Sequence, residues 1–263
     1  MHGAKSPDTL LIFAAKHVGM EIIKFLWRDE APAARLFVSA DDAELLAAAM
    51  ALNIDAEIFS DETAGQLCRE GRQYNWMLNL WFPHIFKPDV LEVAKHRLNV
   101  HPALLPHCRG NDCAAWAIRT DAPVGVSLLE IREGVDTGEV YAQRALSHKP
   151  AERGKELHDR LQTAAIALFI DTWPDILSGE IQPRPQTGEG SNFQRRDTEA
   201  DRRRNGADTM TLKETTDWIR AHDFSPGTTA EMLMDNKRYK LTLEIEEIED
   251  ARIASDTTNT KLR

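Results

Sequence analysis

Cysteine is scarce in this chain, with three in 263 residues: Cys68, Cys108 and Cys113. An odd, sparse set builds no disulfide framework and points to reduced thiols in a reducing compartment. His101, His107, Cys108 and Cys113 do not have the spacing of a structural zinc site, so no metal is expected. Basic residues are also short: 32 Lys and Arg face 42 Asp and Glu, a net charge of −10. That balance argues against a broad phosphate-neutralising face, and no nucleic-acid partner is expected. Long apolar runs are missing too. The first, Leu10 to Ala15, is too short for a signal region or a membrane span, so a cytoplasmic protein off the membrane is expected. Where a glycine-rich phosphate turn would follow that run, the sequence reads Ala14-Ala15-Lys16-His17. No internal repeat is present.

What is there is a 42% hydrophobic chain with an ordered alternation of short apolar runs and helical stretches. Runs at Thr9–Ala14, Leu36–Val38, Ala56–Phe59, Trp76–Leu80 and Leu98–His101 predict five strands. Between them, Val18, Ile22, Phe25 and Leu26 share one helical face, Asp41 or Asp42 caps a helix running to Leu52, a helix lies near Thr63 to Arg69, and Pro88 opens a short one. This rhythm predicts an α/β fold, a mostly parallel sheet with helices on both faces. Further on, Ala114–Arg119 reads as helix and Val124–Leu129 and Val140–Ala145 as strands. A long helix from about Gly154 is expected to end near Trp173, before Pro174. Pro183-Arg184-Pro185 and Gly188-Glu189-Gly190-Ser191 mark a linker. The boundaries are therefore residues 1–183 for the main domain and 184–263 for a small C-terminal α+β segment. In that segment Thr211 and Glu214 have capping-box spacing, and a hairpin is expected from Met232 to Ile245. So short a hairpin cannot bury its apolar face alone, which predicts a homodimer.

One constellation carries chemistry. Asn99 and His101 lie two apart in an extended run, so their side chains leave the same face, while Leu98 and Val100 point into packing. Pro102 stops the strand and leaves both at its C-terminal end, the edge where open α/β sheets bind ligands. Asp136-Thr137-Gly138 follows in a polar loop. An imidazole can act as a base near neutral pH, an amide can donate to a developing oxyanion, and a carboxylate can steady the imidazolium. That set suits transfer of a formyl group to an amine. Taken alone, His101 and Asn99 could be hydrogen-bonded structural residues and Asp136 a turn residue.

Asn99-x-His101-Pro102, Leu104-Leu105-Pro106, Arg109-Gly110, Trp116, Gly125-Val126, Asp136-x-Gly138-x-Val140 and Gln143 together resemble the N10-formyltetrahydrofolate-dependent formyltransferase family. Ser127 stands where that family usually has threonine, and Asn111-Asp112-Cys113 departs from the proline often found after Arg-Gly. The resemblance is strongest over residues 75–145. It implies a Rossmann-like sheet, His101 as catalytic base, Asn99 as oxyanion donor and Asp136 as partner of His101. It implies N10-formyltetrahydrofolate as cosubstrate, its pterin against Leu80, Trp81, Phe82 and Pro83 and the loop carrying Ile131, Val135 and Asp136. The looser likeness of the C-terminal segment to the sugar-nucleotide branch implies a nucleotide-linked 4-amino-4,6-dideoxyhexose as acceptor, of the kind used in O-antigen and lipopolysaccharide synthesis, such as GDP-perosamine. Lys16, Arg109, Gly110, Arg195 and Arg196 would then contact this substrate, guanidinium forks suiting its diphosphate. Two other readings remain at this point: methionyl-tRNA formylation, and a non-catalytic sugar-nucleotide-binding protein that keeps the fold. The short, mixed-charge C-terminal segment speaks against the first, and the intact Asn, His and Asp against the second.

Overall fold

The computed structural model describes residues 9–29 and 32–248. Its first strand shows how sequence sets architecture. β1 (Leu10–Ala14) is buried throughout. Alternation sends Leu10, Ile12 and Ala14 to one face of the sheet and Leu11 and Phe13 to the other, and each set joins a separate core. The next elements are α1 (Lys16–Leu26), β2 (Ala34–Val38), α2 (Ala43–Ala51), β3 (Ala56–Ile58), α3 (Asp61–Arg69), β4 (Tyr74–Leu80), α4 (Pro88–Leu91) and β5 (Ala94–His101). Asp42 is the cap of α2, accepting the Leu45 N–H at 3.1 Å. The first five strands pair in parallel in the order β3-β2-β1-β4-β5. α1, α2 and a later long helix cover one face, and α3 and α4 the other. This is the α/β sheet the sequence predicts.

The chain then adds β6 (Arg109–Gly110), α5 (Cys113–Thr120), β7 (Val124–Glu130), β8 (Val140–Leu146) and α6 (Gly154–Ser178). β7 lies antiparallel to β5, and β8 antiparallel to β7, completing seven strands. α6 does not stop before Pro174. It runs on to Ser178, with Trp173 and Ile176 both buried. Trp173 stacks on Phe169 at 5.3 Å and meets Trp76 edge-on at 5.2 Å. Burial of two large side chains, about 1.5–3 kcal/mol each, outweighs the roughly 3 kcal/mol cost of an interior proline.

The remaining elements are β9 (Asn192–Phe193), α7 (Arg195–Asp201), β10 (Arg203–Asn205), α8 (Leu212–Ala221), β11 (Ala230–Met234) and β12 (Lys237–Leu241). β10, β11 and β12 form a small sheet. The hairpin turns at Asp235-Asn236, both at positive φ. Its second strand ends at Leu241, short of the expected Ile245. α8 packs on α5, and Ala221 joins the main core. Asp201 ties this region down: it holds Arg119 of α5 at 2.7 Å and His222 at 2.9 Å. Among the described residues no helix is long and apolar enough to cross a membrane.

Candidate active site

The C-terminal end of β5 carries the site. Leu98 and Val100 are core residues, so Asn99 and His101 face the opposite side of the sheet. Asp136 comes to them from the loop between β7 and β8. That loop doubles back tightly: Asp136 sits at φ 52°, and a Cβ on Gly138 would lie 1.7 Å from the Glu130 carbonyl oxygen. Only glycine fits there.

The Asp136 carboxylate is the hub. Its Oδ1 accepts Asn99 Nδ2–H at 3.1 Å, and its Oδ2 accepts the Gly110 backbone N–H at 2.9 Å. His101 Nδ1 stands 3.4 Å from the same Oδ2. The other ring nitrogen, Nε2, meets the Cys108 carbonyl oxygen at 3.3 Å. Both ring nitrogens thus face an oxygen acceptor, the carboxylate on one side and the Cys108 carbonyl on the other. The ring is 4% exposed and lies behind Asp136.

Asn99 and Asp136 open onto a cleft of about 600 Å³. Ile85, Phe86, Leu91, Leu129, Ile131 and Val135 supply its apolar wall. Charged side chains, among them Arg97, Glu130 and Arg132, share the lining, and the volume is that of a pocket for a drug-sized molecule. Phe86 is anchored from behind by Phe13, ring centroids 4.5 Å apart, within a cluster that includes Phe37, Phe59 and Phe82.

The structure redraws the expected wall. Ile131, Val135 and Asp136 line the cleft. Leu80 and Phe82 are buried in the two cores and do not. The reason is a sharp turn: Asn79 Oδ1 accepts the Phe82 N–H at 2.8 Å, and Trp81 takes φ 69°. Trp81 is thereby turned toward His158 on α6, and Pro83 is exposed outside the wall. His84, Ile85 and Phe86, just beyond the segment read from sequence, take its place.

The expected acceptor contacts separate into groups. Gly110 is in the site through its N–H. Arg109 uses Nε and Nη2 on Gln186 Oε1, at 3.2 and 2.7 Å, and so clasps the linker. Lys16 is exposed, and its backbone N–H is bound by the Asp42 carboxylate. Arg195 pairs with Asp112 at 3.1 Å, two residues past Gly110. The second Asp112 oxygen is buried without a hydrogen-bond partner among the described residues. Arg196 is 80% exposed, 3.8 Å from Asp197 and in no recorded contact with the site.

Several supporting residues had no clear sequence signal. Gln186 donates to the backbone oxygens of Asp136 and Gly138, both at 2.8 Å. Ser191 Oγ accepts the Cys108 N–H at 2.8 Å. Ser127 pairs with His101 across the sheet, gives its proton to Ala103 O and receives Leu105 N–H and Gln143 Nε2–H. Those bonds pin the loop that follows His101. Ser127 and Gln143 were visible as parts of the motif, but their task was not.

Residues 47–172 match the family model described as formyl transferase, and this span holds Asn99, His101 and Asp136. That segment belongs to the formyl transferase family. The formyltransferase segment is similar to a methionyl-tRNA formyltransferase from Myxococcus xanthus, 38% identical over 111 residues, which are 41% of this chain and 36% of that protein. The chain spans roughly a third to a half of the length of the curated relatives it matches. In fold the likeness extends much further. A 4-N formyltransferase from Francisella tularensis superposes with a TM-score of 0.81 at 17% identity, over 92% of this chain and 99% of that one. An N-formyltransferase from Helicobacter canadensis, solved with folinic acid and dTDP-3-aminofucose, gives 0.68 at 20% identity, over 81% and 80% of the two chains.

Proposed function

We propose that this chain transfers the formyl group of N10-formyltetrahydrofolate to the amino group of a nucleotide-linked amino sugar. The observation that carries this reading is the convergence of Asn99, His101 and the Gly110 N–H on one carboxylate at the wall of a folate-sized cleft.

Each group has a task. Asn99 Nδ2 has two hydrogens, and only one is committed to Asp136, so the second can meet the formyl oxygen as it gains charge. The acceptor nitrogen attacks the formyl carbon, and the carbonyl π pair moves onto oxygen. The amine proton passes to the Asp136–His101 pair through the carboxylate, which faces the cleft, with His101 Nδ1 3.4 Å behind it to take the charge. The oxyanion then collapses, the bond to N10 breaks, and the proton held by the pair passes to N10. The products are a formamide and tetrahydrofolate.

A sugar-linked acceptor is favoured over a transfer RNA by two facts. The fold likeness to the Helicobacter protein solved with dTDP-3-aminofucose covers 81% of this chain, and the net charge of −10 argues against a polynucleotide-binding face. A nucleotide-linked 4-amino-4,6-dideoxyhexose such as GDP-perosamine is the proposed acceptor, with Arg195 and Asp112 at its polar end. A homodimer through the half-exposed β11–β12 hairpin completes the reading, and sedimentation showing a monomer at micromolar concentration would contradict that part.

The test is direct. Purified protein with N10-formyltetrahydrofolate is offered UDP-, dTDP- and GDP-linked 4-amino-4,6-dideoxyhexoses and, separately, charged initiator tRNA. Formamido sugar is the expected product. Formylated methionyl-tRNA would replace the acceptor assignment. Nucleotide binding without any formyl transfer would favour the non-catalytic reading. Asn99→Ala should lower kcat by about 10²–10³-fold, the usual cost of one oxyanion donor.

A further inference from the structure

The base has an unusual backing. Cys113 opens α5. Its Sγ lies 3.1 Å from the Cys108 carbonyl oxygen and 3.6 Å from His101 Nε2. The Cys108 carbonyl is therefore met by groups from two elements, the thiol of Cys113, which is nearer to it than to the Gly110 carbonyl at 3.7 Å, and His101 Nε2. Cys108 itself sits at φ 52°, a strained conformation for a residue with a Cβ, so its carbonyl direction needs support. Ser191 holds the N–H side of the same residue. Both cysteines are buried in the main core.

We propose that Cys113 is a positioning residue for the base: its thiol proton fixes the Cys108 carbonyl, and that carbonyl keeps the His101 proton on Nε2, leaving the Nδ1 lone pair to take up the amine proton through Asp136. The proposal rests on the reading of His101 as base. Burial pushes the Cys113 thiol well above its ordinary range, so it stays protonated and serves as a donor near neutral pH. No covalent step passes through sulfur. The groups that act on the Cys113 thiol are the Cys108 thiol, Asp136 from the β7–β8 loop and Asp112, one residue before it. The Cys113 sulfur is 3.6 Å from Nε2, and its proton goes to the nearer Cys108 carbonyl.

The experiment reads the ring directly. Nitrogen-15 spectra of the histidine side chains distinguish a proton on Nε2 from one on Nδ1, with His101→Asn assigning the signal. Wild type should show the proton on Nε2. Cys113→Ala should lose that single pattern, and kcat should fall about 2- to 12-fold, the worth of one neutral hydrogen bond, with KM little changed. Cys113→Ser, which restores a donor, should recover both. Cys108→Ala is the packing control: the fold uses its backbone carbonyl, so the ring pattern should persist. If Cys113→Ala keeps the wild-type pattern, or if Cys108→Ala disturbs it equally, the proposal is overturned. The spectra need no acceptor, so a failure of formyl transfer with every amino sugar would count against the proposed function and leave this result standing.

Discussion

Replacing Asp136 by asparagine tests the centre of the mechanism with the least change in shape. The carboxylate now serves Asn99 Nδ2, Gly110 N–H and His101 Nδ1 with two oxygens. An amide has one oxygen. If that oxygen stays on Gly110, the new NH₂ faces the Asn99 NH₂, and a donor–donor conflict of about 1–3 kcal/mol follows. Asn99 can escape by turning its own amide, but its donors then leave the position proposed for the oxyanion. If the new NH₂ instead faces Gly110, the conflict is with a backbone donor that cannot turn. In either case the negative charge opposite the imidazolium is gone. General-base contributions of about 10²–10⁴-fold set the scale, so kcat should fall by that factor, roughly 3–5 kcal/mol. The cleft wall is otherwise intact, so KM for the folate should stay within a few-fold. The assay is release of tetrahydrofolate in the presence of the amino-sugar nucleotide, alongside a melting curve to show that the variant is folded. A folded Asp136→Asn enzyme with kcat within threefold of wild type would refute the reasoning.

Three other outcomes are expected. Gly138→Ala places a methyl group on the Glu130 carbonyl and should cost about 1–3 kcal/mol in urea unfolding as well as most activity; unchanged stability would show the loop to be softer than drawn. For Asp201, burial alone would raise the carboxyl, but hydrogen bonds from His222 and Arg119 bring it well below the usual carboxylate range. Its stabilisation is therefore present above the unfolded carboxylate range near pH 4 and is lost as pH falls further, so Asp201→Asn should lower Tm at pH 7 and flatten its decline below pH 4. Burial pushes the Cys108 thiol up to about 11 and the Cys113 thiol well above its ordinary range, while Cys68 is half-buried; at pH 8 a thiol reagent should modify Cys68 first and reach the other two only in denaturant.

The apolar run of β1, buried on both sides, made the sheet readable, and the alternation of Leu98 and Val100 with Asn99 and His101 in β5 made its two faces readable. The ordered motif made Asn99, His101 and Asp136 readable as a set. Other features were not readable, for identifiable reasons. Leu80–Pro83 looked like a ligand wall because it is apolar, but the positive φ at Trp81 reverses which side chains face the cleft. Pro174 looked like a stop because the local cost is plain in sequence and the burial of Trp173 and Ile176 is not. Gln186 and Ser191 act on residues 50 and 83 positions earlier, a distance no local pattern conveys. The hairpin strand stops at Leu241, although the alternation of Leu241, Leu243 and Ile245 continues past it.

The two-residue pairing of β6 with β9 is small, yet it decides where this protein can be cut. Arg109 and Gly110 lean on Asn192 and Phe193, and Phe193 lies flat on Trp116 with ring centroids 4.0 Å apart. A fragment ending at 183 would keep every residue of the catalytic motif and still lose the scaffold behind Gly110, Cys108 and the Asp136 backbone. Anyone trimming this chain for crystallography, or grafting its later half onto another acceptor specificity, would be rebuilding the wall of the reaction chamber along with the appendage.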